Sequence, residues 1–286
     1  MPALAEVLRI ISARLGAAGI IDSGTDAELI LAHVYATSRG DILAAALRGD
    51  DFDAAHSEQL AELVRRREAR EPLQHLTGLA PFRHLMLRVG PGVFVPRPET
   101  EIVAQLAIDS LATWPHPEPI AVDLGTGSGA IALAMASEVP HARVFAAEKS
   151  PDAYGWARTN ILESGVTNLV LEQVDLQDAF PELMGQVSVL VSNPPYVPDD
   201  AVPNDPEVRR FDPPQALYGG ADGLDVIRTL ARVGLRLVHP GGVIVLEHGE
   251  WQGAAVRGIL AEHGWRAAAT HPDLTHRDRA TTAHRE

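Results

Sequence analysis

Between residues 3 and 70, apolar side chains recur every three to four positions: Leu4, Val7, Leu8, Ile11 and Leu15, then Ala27, Leu29, Ile30, Leu31 and Val34, then Ile42, Leu43, Ala46 and Leu47, then Leu60, Leu63 and Val64. That spacing predicts four or five short amphipathic helices. Asp22-Ser23-Gly24-Thr25-Asp26 and Arg39-Gly40-Asp41 break the pattern, the first carrying residues suited to a helix N-cap. The segment from Glu71 to Gly78 reads as a linker, because Pro72 ends the helix before it. The period then shortens: Phe82, Leu85, Leu87 and Val89 alternate, and Gly90-Pro91-Gly92 turns the chain into Val93-Phe94-Val95, predicting a β-hairpin.

Beyond it, short β-branched runs alternate with helical stretches. Pro96-Arg97-Pro98-Glu99-Thr100-Glu101 leads into a helix through Val103, Leu106, Ala107 and Leu111, with its acids in the first turn, where the helix dipole favours them. Strands follow at 120–124, 144–148, 168–175, 189–192 and 242–248, separated by helices at 130–138, 151–161 and 225–238, with another helix at 253–263. A pair of segments at 265–269 and 280–283 reads as a terminal antiparallel hairpin. Repeated strand–helix units predict an α/β fold, a doubly wound Rossmann-like sheet with right-handed crossovers. Residues 197–216 hold five prolines and four aspartates and read as a long surface loop. The expected organisation is a helical bundle over 1–75, a hairpin linker over 76–96 and an α/β domain over 97–286.

Composition narrows the function classes. The chain has 286 residues and a formal charge of −14, and 46% of its residues are hydrophobic. No apolar run reaches the roughly 20 residues of a membrane span, and the start of the sequence lacks a basic leader, so a cytoplasmic protein without membrane contact is expected; a monomer is a separate expectation. There are no cysteines, and the twelve histidines show no metal-ligand spacing, so no metal is expected. Residues 1–96 carry 12 acids and 10 arginines, leaving 26 acids against 14 basic residues in the remainder. An acidic α/β domain disfavours a nucleic-acid surface.

Two strand ends concentrate polar chemistry. Val189-Leu190-Val191-Ser192-Asn193-Pro194-Pro195-Tyr196 is an apolar run stopped by an amide, two prolines that cannot continue a ladder, and a phenol. Upstream, Ile120-Ala121-Val122-Asp123-Leu124 runs into Gly125-Thr126-Gly127-Ser128-Gly129, a loop whose glycines let a ligand approach the backbone. Its G-x-G-x-G spacing matches neither the dinucleotide nor the phosphate-cradling fingerprint. In open α/β sheets the carboxyl ends of the strands are where ligands bind.

Together, the D-L-G-T-G-S-G loop, the acid Glu148 closing the next strand, and N-P-P-Y resemble S-adenosylmethionine-dependent methyltransferases acting on planar amide or amine nitrogens. Further stretches, Pro96-Arg97-Pro98-Glu99-Thr100-Glu101, Glu71-Pro72-Leu73-Gln74-His75-Leu76-Thr77-Gly78, Ala216-Leu217-Tyr218-Gly219-Gly220-Ala221-Asp222-Gly223-Leu224-Asp225 and Asp273-Leu274 with Arg277-Asp278-Arg279, are similar to the release factor glutamine methyltransferase family over nearly the whole chain. One departure is Thr275-His276, where that family carries small residues including a glycine.

The resemblance implies a seven-stranded sheet and a cofactor, S-adenosylmethionine, released as S-adenosylhomocysteine. Gly125, Thr126, Gly127, Ser128 and Gly129 are expected against its methionine and ribose parts, Glu148 on the ribose hydroxyls, and Asp175 with Leu176 at the adenine. Asn193, Pro194, Pro195 and Tyr196 are expected to act on the acceptor nitrogen, with Asn193 also bordering the cofactor. The Asn193 side-chain carbonyl and the Pro194 backbone carbonyl would accept the two N–H bonds of the substrate amide, and Tyr196 would stack on it. Its implied partner is a peptide chain release factor, methylated on the glutamine of a Gly-Gly-Gln loop, with the helical domain recognising it. N-P-P-Y alone leaves adenine N6 of DNA and guanine N2 of ribosomal RNA open as acceptors, and a non-catalytic nucleotide-binding module is the competing class.

Overall fold

The computed structural model describes residues 2–286 and divides into two units, one of residues 2–79 with Pro203–Phe211 and one of Ala80–Val202 with Asp212–Glu286. In the first, five α-helices span Leu4–Ala17, Ser23–Val34, Arg39–Arg48, Ser57–Glu68 and Leu73–Thr77, with a 3₁₀ turn at Ala54–His56. The predicted apolar stripes converge: Leu15, Ile30, Leu31, Ile42 and Val64 are almost fully buried in one core. The segment from Glu71 is not the structureless linker expected from Pro72. Pro72 instead sits at the N-cap of a short helix ended by Gly78 in the left-handed conformation (φ 72°). Nor is the start of the third helix simply a break, since Ser38 and Asp41 form a reciprocal capping box there.

The proline-rich stretch predicted as one long loop contains two short helices, Pro206–Phe211 and Pro214–Leu217. The first packs within the helical unit because Glu207 is held by Arg67 at 2.8 Å and by Arg70 at 3.1 Å. Arg67 also meets Asp26 at 2.6 Å, and all three side chains of this cluster lie largely out of solvent. Arg67 and Arg70 thus compensate two acids held largely out of solvent, which a chain of isolated helices has no means of showing in advance.

In the second unit, strands β1 (Leu79–Phe82) and β2 (Leu85–Arg88) form a two-stranded sheet. The hairpin is present, but it turns at Arg83-His84 and not at Gly90-Pro91-Gly92. Arg83 takes φ 54° without being glycine or asparagine. Its amide donates to Glu101 at 2.9 Å, and its guanidinium grips Glu138 at 2.6 and 2.7 Å, so tertiary partners hold a turn that local chemistry disfavours.

The main sheet has seven strands: β3 (Ile120–Leu124), β4 (Arg143–Glu148), β5 (Leu169–Gln173), β6 (Val187–Ser192), β7 (Val238–Glu247), β8 (Trp265–Pro272) and β9 (Asp278–Arg285). Their order is β5-β4-β3-β6-β7-β9-β8, with β5 to β7 all parallel and β9 antiparallel to both neighbours. Strands β3 and β6 are buried along their full length, as a sheet covered on both faces requires. The chain winds outward from β3 to β5, then returns to place β6 on the other side of β3. The strand order reverses there, so the crevice between the carboxyl ends of β3 and β6 is the topological switch point.

Candidate active site

Asp123 pairs with Val191 in the register of β3 and β6, so both strands end side by side. Ser192 donates to the carbonyl of Leu124 at 2.6 Å and ties the two ends together. Beyond β3 the chain must reverse sharply into the helix Ala130–Glu138, and Gly125, Gly127 and Gly129 take φ of 75°, 60° and 85°. Nothing lies within 4 Å of where a Cβ would stand at Gly125 or Gly127, leaving an open cradle beside the backbone. Asp123, 1% exposed, supports the loop from below by accepting from the Thr126 hydroxyl at 2.6 Å and the Ala132 amide at 3.2 Å. Burial pushes its pKa up to about 7, despite those hydrogen bonds. Its second oxygen has no hydrogen-bond partner.

Glu148 ends β4 one strand over, and its carboxylate accepts from the Gly127 amide at 2.9 Å and the Ser150 amide at 2.8 Å. Burial raises its pKa, partly opposed by these amides. Each oxygen retains a lone pair for another donor, which makes Glu148 a competent acceptor for a diol in the crevice. Asp175, just past β5, is engaged by the exposed Lys149 at 2.8 Å and by the Gln177 amide at 3.1 Å, and those bonds lower its pKa. Leu176 beside it is half-buried against the core face formed around Val122 and Phe180. The loop and Glu148 are therefore drawn together by the Gly127 amide, with Asp175 and Leu176 just past the end of the next strand outward. The open cradle, the diol acceptor and an unpartnered buried oxygen fit a ligand such as S-adenosylmethionine, which carries no phosphate to neutralise.

On the other side of the switch point, Asn193 and Pro194 leave β6. Asn193 is half-buried, and its Nδ2 donates to the hydroxyl of Thr100 at 3.2 Å. The Tyr196 hydroxyl lies 3.5 Å from Glu247, the last residue of β7, and burial together with that carboxylate raises its pKa. The backbone of this loop is braced from behind. Gln252 donates to the Tyr196 carbonyl at 2.9 Å, while the Val197 amide donates to the Leu217 carbonyl and the Gly219 amide to the Val197 carbonyl, a bridge that sets Val197 beside Tyr218. A Cβ at Gly219 would stand 2.5 Å from the Pro195 carbonyl, and one at Gly223 only 2.2 Å from that of Tyr196. The Tyr218-Gly219-Gly220 and Gly223 segment is thus a backbone buttress for Pro195 and Tyr196. Its close approach is the physical reason for glycine there, a role that the sequence pattern alone did not assign.

Two further groups border this site, Glu247, which the sequence did not single out, and Arg279, named there only within a stretch that resembles the family. Glu247 is 2% exposed, and burial pushes its pKa up to about 7 against hydrogen bonding from Thr100 and the charge of Arg279. Arg279 is oriented by Asp273 at 3.4 Å. Asp273 also accepts from the amides of Thr275 and Arg277 and from the Thr275 hydroxyl, and although burial alone would raise its pKa, these bonds bring it down to about 2. The Thr275-His276 turn closes with His276 at φ 63°, in the left-handed region that favours glycine. No group of acids and histidines able to hold a metal occurs among the described residues.

Residues 6–78 match the family model described as the PrmC N-terminal domain, and residues 85–207 match the methyltransferase small domain. The chain is 51% identical over 282 residues to the release factor glutamine methyltransferase of Streptomyces coelicolor, covering 98% of this chain and 97% of that protein. It is also 39% identical to the 4-amino-L-phenylalanine/4-methylamino-L-phenylalanine methyltransferase of Streptomyces pristinaespiralis, over 95% of this chain and 92% of that one. Among solved structures, the T. thermophilus 16S rRNA N2 G1207 methyltransferase, in complex with AdoMet and guanosine, shares the fold with a TM-score of 0.53. It is 19% identical and aligns over 73% of this chain and 50% of that one.

Proposed function

The chain belongs to the release factor glutamine methyltransferase family, and on that premise we propose that it transfers a methyl group from S-adenosylmethionine to the side-chain nitrogen of the glutamine in the Gly-Gly-Gln loop of peptide chain release factors. The observation that carries the site assignment is the placement of Asn193. It leaves β6 at the switch point with its amide nitrogen already engaged by Thr100, so its carbonyl is left for an acceptor N–H.

Gly125 to Gly129, Glu148, Asp175 and Leu176 would hold the cofactor, which supplies an electrophilic methyl group when bound. The difficulty lies with the acceptor, because an amide lone pair is delocalised into its carbonyl. Outright deprotonation would be very costly. The Asn193 carbonyl and the Pro194 backbone carbonyl instead accept the two N–H bonds and fix the direction of the nitrogen lone pair. As charge develops on nitrogen, those two dipoles, already oriented, stabilise it. Proline at 194 and 195 removes the backbone freedom that would let the carbonyls drift. The Tyr196 ring supports the flat face of the amide, its hydroxyl directed at Glu247.

The charge of −14 supports a protein acceptor over a nucleic acid, and no helix among the described residues is long and apolar enough to cross a membrane. We read the helical unit as the surface that recognises the release factor beyond the glutamine loop. A second reading, methylation of an aromatic amine, is favoured by the Streptomyces pristinaespiralis relative. Methyl-labelled S-adenosylmethionine offered with intact release factor, 4-amino-L-phenylalanine, duplex DNA or ribosomal RNA separates the readings. Label on the release factor glutamine is expected, abolished by Asn193→Ala with cofactor affinity retained. Label confined to the amine or to nucleic acid would overturn the assignment.

A further inference from the structure

Behind Asn193 lies a buried chain of polar groups whose direction is set at its far end. Thr100 is 4% exposed and Glu247 2% exposed, so neither side chain is there to meet solvent. The Thr100 hydroxyl accepts from Asn193 Nδ2 at 3.2 Å and faces the Glu247 carboxylate, whose protonation it opposes as a donor. Glu247 has one oxygen 3.5 Å from the Tyr196 hydroxyl, and its other oxygen, buried, has no hydrogen-bond partner.

We propose that Thr100 and Glu247 form a polarity-setting relay that fixes the amide of Asn193 with its carbonyl toward the acceptor nitrogen, making both of them positioning residues for the methyl transfer read above. A hydroxyl has one proton, and an ionised carboxylate can only accept. Thr100 therefore gives its proton to Glu247 and turns its lone pairs to Asn193, which must answer with N–H. The Asn193 oxygen is then the end left for substrate. The flipped amide would set oxygen against the Thr100 lone pairs and N–H against the N–H of the substrate, losing two hydrogen bonds at once. The same carboxylate receives Tyr196, so one buried acid orients both the hydrogen-bonding and the stacking side of the acceptor pocket.

Glu247 is faced by Thr100 and Glu99 from the turn before the helix Glu101–Ala112, by Tyr196 from the loop after β6, and by Arg279 from β9, with His248 next to it in the chain just past the end of β7. The relay is fully polarised only while Glu247 is ionised, and burial brings its protonation to about pH 7. Transfer should therefore rise with pH through that region.

This inference rests on the glutamine reading for its acceptor but is tested apart from it. Thr100→Val keeps shape and removes the hydroxyl, Thr100→Ser restores it, and Glu247→Gln removes the charge. In Thr100→Val, kcat should fall roughly tenfold, the scale of one oriented hydrogen bond, with cofactor affinity unchanged, and Thr100→Ser should recover most of it. Glu247→Gln should lower the rate and flatten its rise near pH 7. Independently of any acceptor, the side-chain amide NMR signals of Asn193, assigned by their loss in Asn193→Ala, should shift in Thr100→Val and return in Thr100→Ser. An active wild type with an equally active Thr100→Val, or unmoved Asn193 amide signals in that variant, would overturn the relay. A wild type that methylates only another acceptor would overturn the glutamine reading, while the amide signals still decide the relay.

Discussion

The position of the acceptor loop is fixed by backbone meeting backbone, and Gly219→Ala tests that directly. Gly219 does not occupy the left-handed region, so alanine costs it no backbone strain and only space is at issue. The added Cβ would stand 2.5 Å from the Pro195 carbonyl oxygen and 2.7 Å from that of Gly223. Ordinary contact begins at 3.4 Å, so the first gap must open by about 0.9 Å, and neither neighbour is a side chain that can swing away. Overpacking of this kind costs roughly 1–3 kcal/mol, or about 2–12 °C of melting temperature in a chain of this size. Activity should suffer more than stability, because Pro195 adjoins the Pro194 carbonyl that holds the acceptor, and misplacement near 1 Å costs on the order of 100-fold in rate. The assay is kcat on release factor beside cofactor affinity by calorimetry and a thermal melt. Gly155→Ala is the control: nothing lies within 4 Å of its Cβ position in the helix Pro151–Ser164, so it should leave activity alone and stabilise slightly. If Gly219→Ala retained wild-type kcat and melting temperature, the buttress would not be what positions the loop.

Other outcomes follow from the same structure. Glu148→Ala should weaken cofactor binding strongly in calorimetry, since it removes both the diol acceptor and the bond to the Gly127 amide; unchanged affinity would remove Glu148 from the site. Asp123 has its folded pKa raised to about 7 from an ordinary value of 3.8, so its ionisation opposes folding, and the stability it contributes is complete below about pH 4 and lost as pH rises through about 7. Asp123→Asn should remove that slope, up to about 1.4 kcal/mol per pH unit across the window, from denaturation curves. Arg67→Met leaves the buried Asp26 without its cation and Glu207 with Arg70 alone, and should cost about 3–5 kcal/mol in chemical denaturation, far beyond a surface ion pair. In the helical unit Ile21 and Leu47 are 95% and 90% exposed; if this unit docks the release factor, charging either should raise KM for the intact protein but not for a Gly-Gly-Gln peptide.

The features legible in the sequence were those whose signal is local. Apolar period 3.6 marked the helices packed around Leu15 and Ile30, and the runs ending at Leu124 and Ser192 marked the central strands, because a strand buried on both faces has little choice but to be apolar throughout. The hairpin turn was misplaced for the converse reason. Glycine and proline at 90–92 are the stronger local signal, yet Arg83 is held at positive φ by Glu101 and Glu138, which lie 18 and 55 residues away. The proline-rich stretch after Tyr196 likewise yields part of itself to the helical unit through Glu207, whose partner Arg67 is 140 residues distant. Sequence spacing carries no trace of pairings at that range.

The same distinction divides the candidate site. Asn193-Pro194-Pro195-Tyr196 and Gly125 to Gly129 announce themselves because each is a breach of local regularity, a strand stopped by prolines or a turn crowded with glycine. Thr100 and Glu247 breach nothing: one is an ordinary helix-entry threonine, the other the last residue of a strand. Only the fold shows that β7 runs beside β6, carrying an acid to the back of the acceptor loop, and that β9 brings Arg279 to face it. The departure at Thr275-His276 belongs to this second group. Asp273 spends its hydrogen bonds on that turn and on Arg279, so the turn expected to depart from the family pattern is mechanically joined to the charge opposite Glu247. Replacing Thr275 with glycine removes the hydroxyl bond to Asp273. A shift in the pH midpoint of transfer without loss of cofactor affinity would show that the tail turn tunes the acceptor side; an unmoved midpoint would confine it to closing β8 and β9.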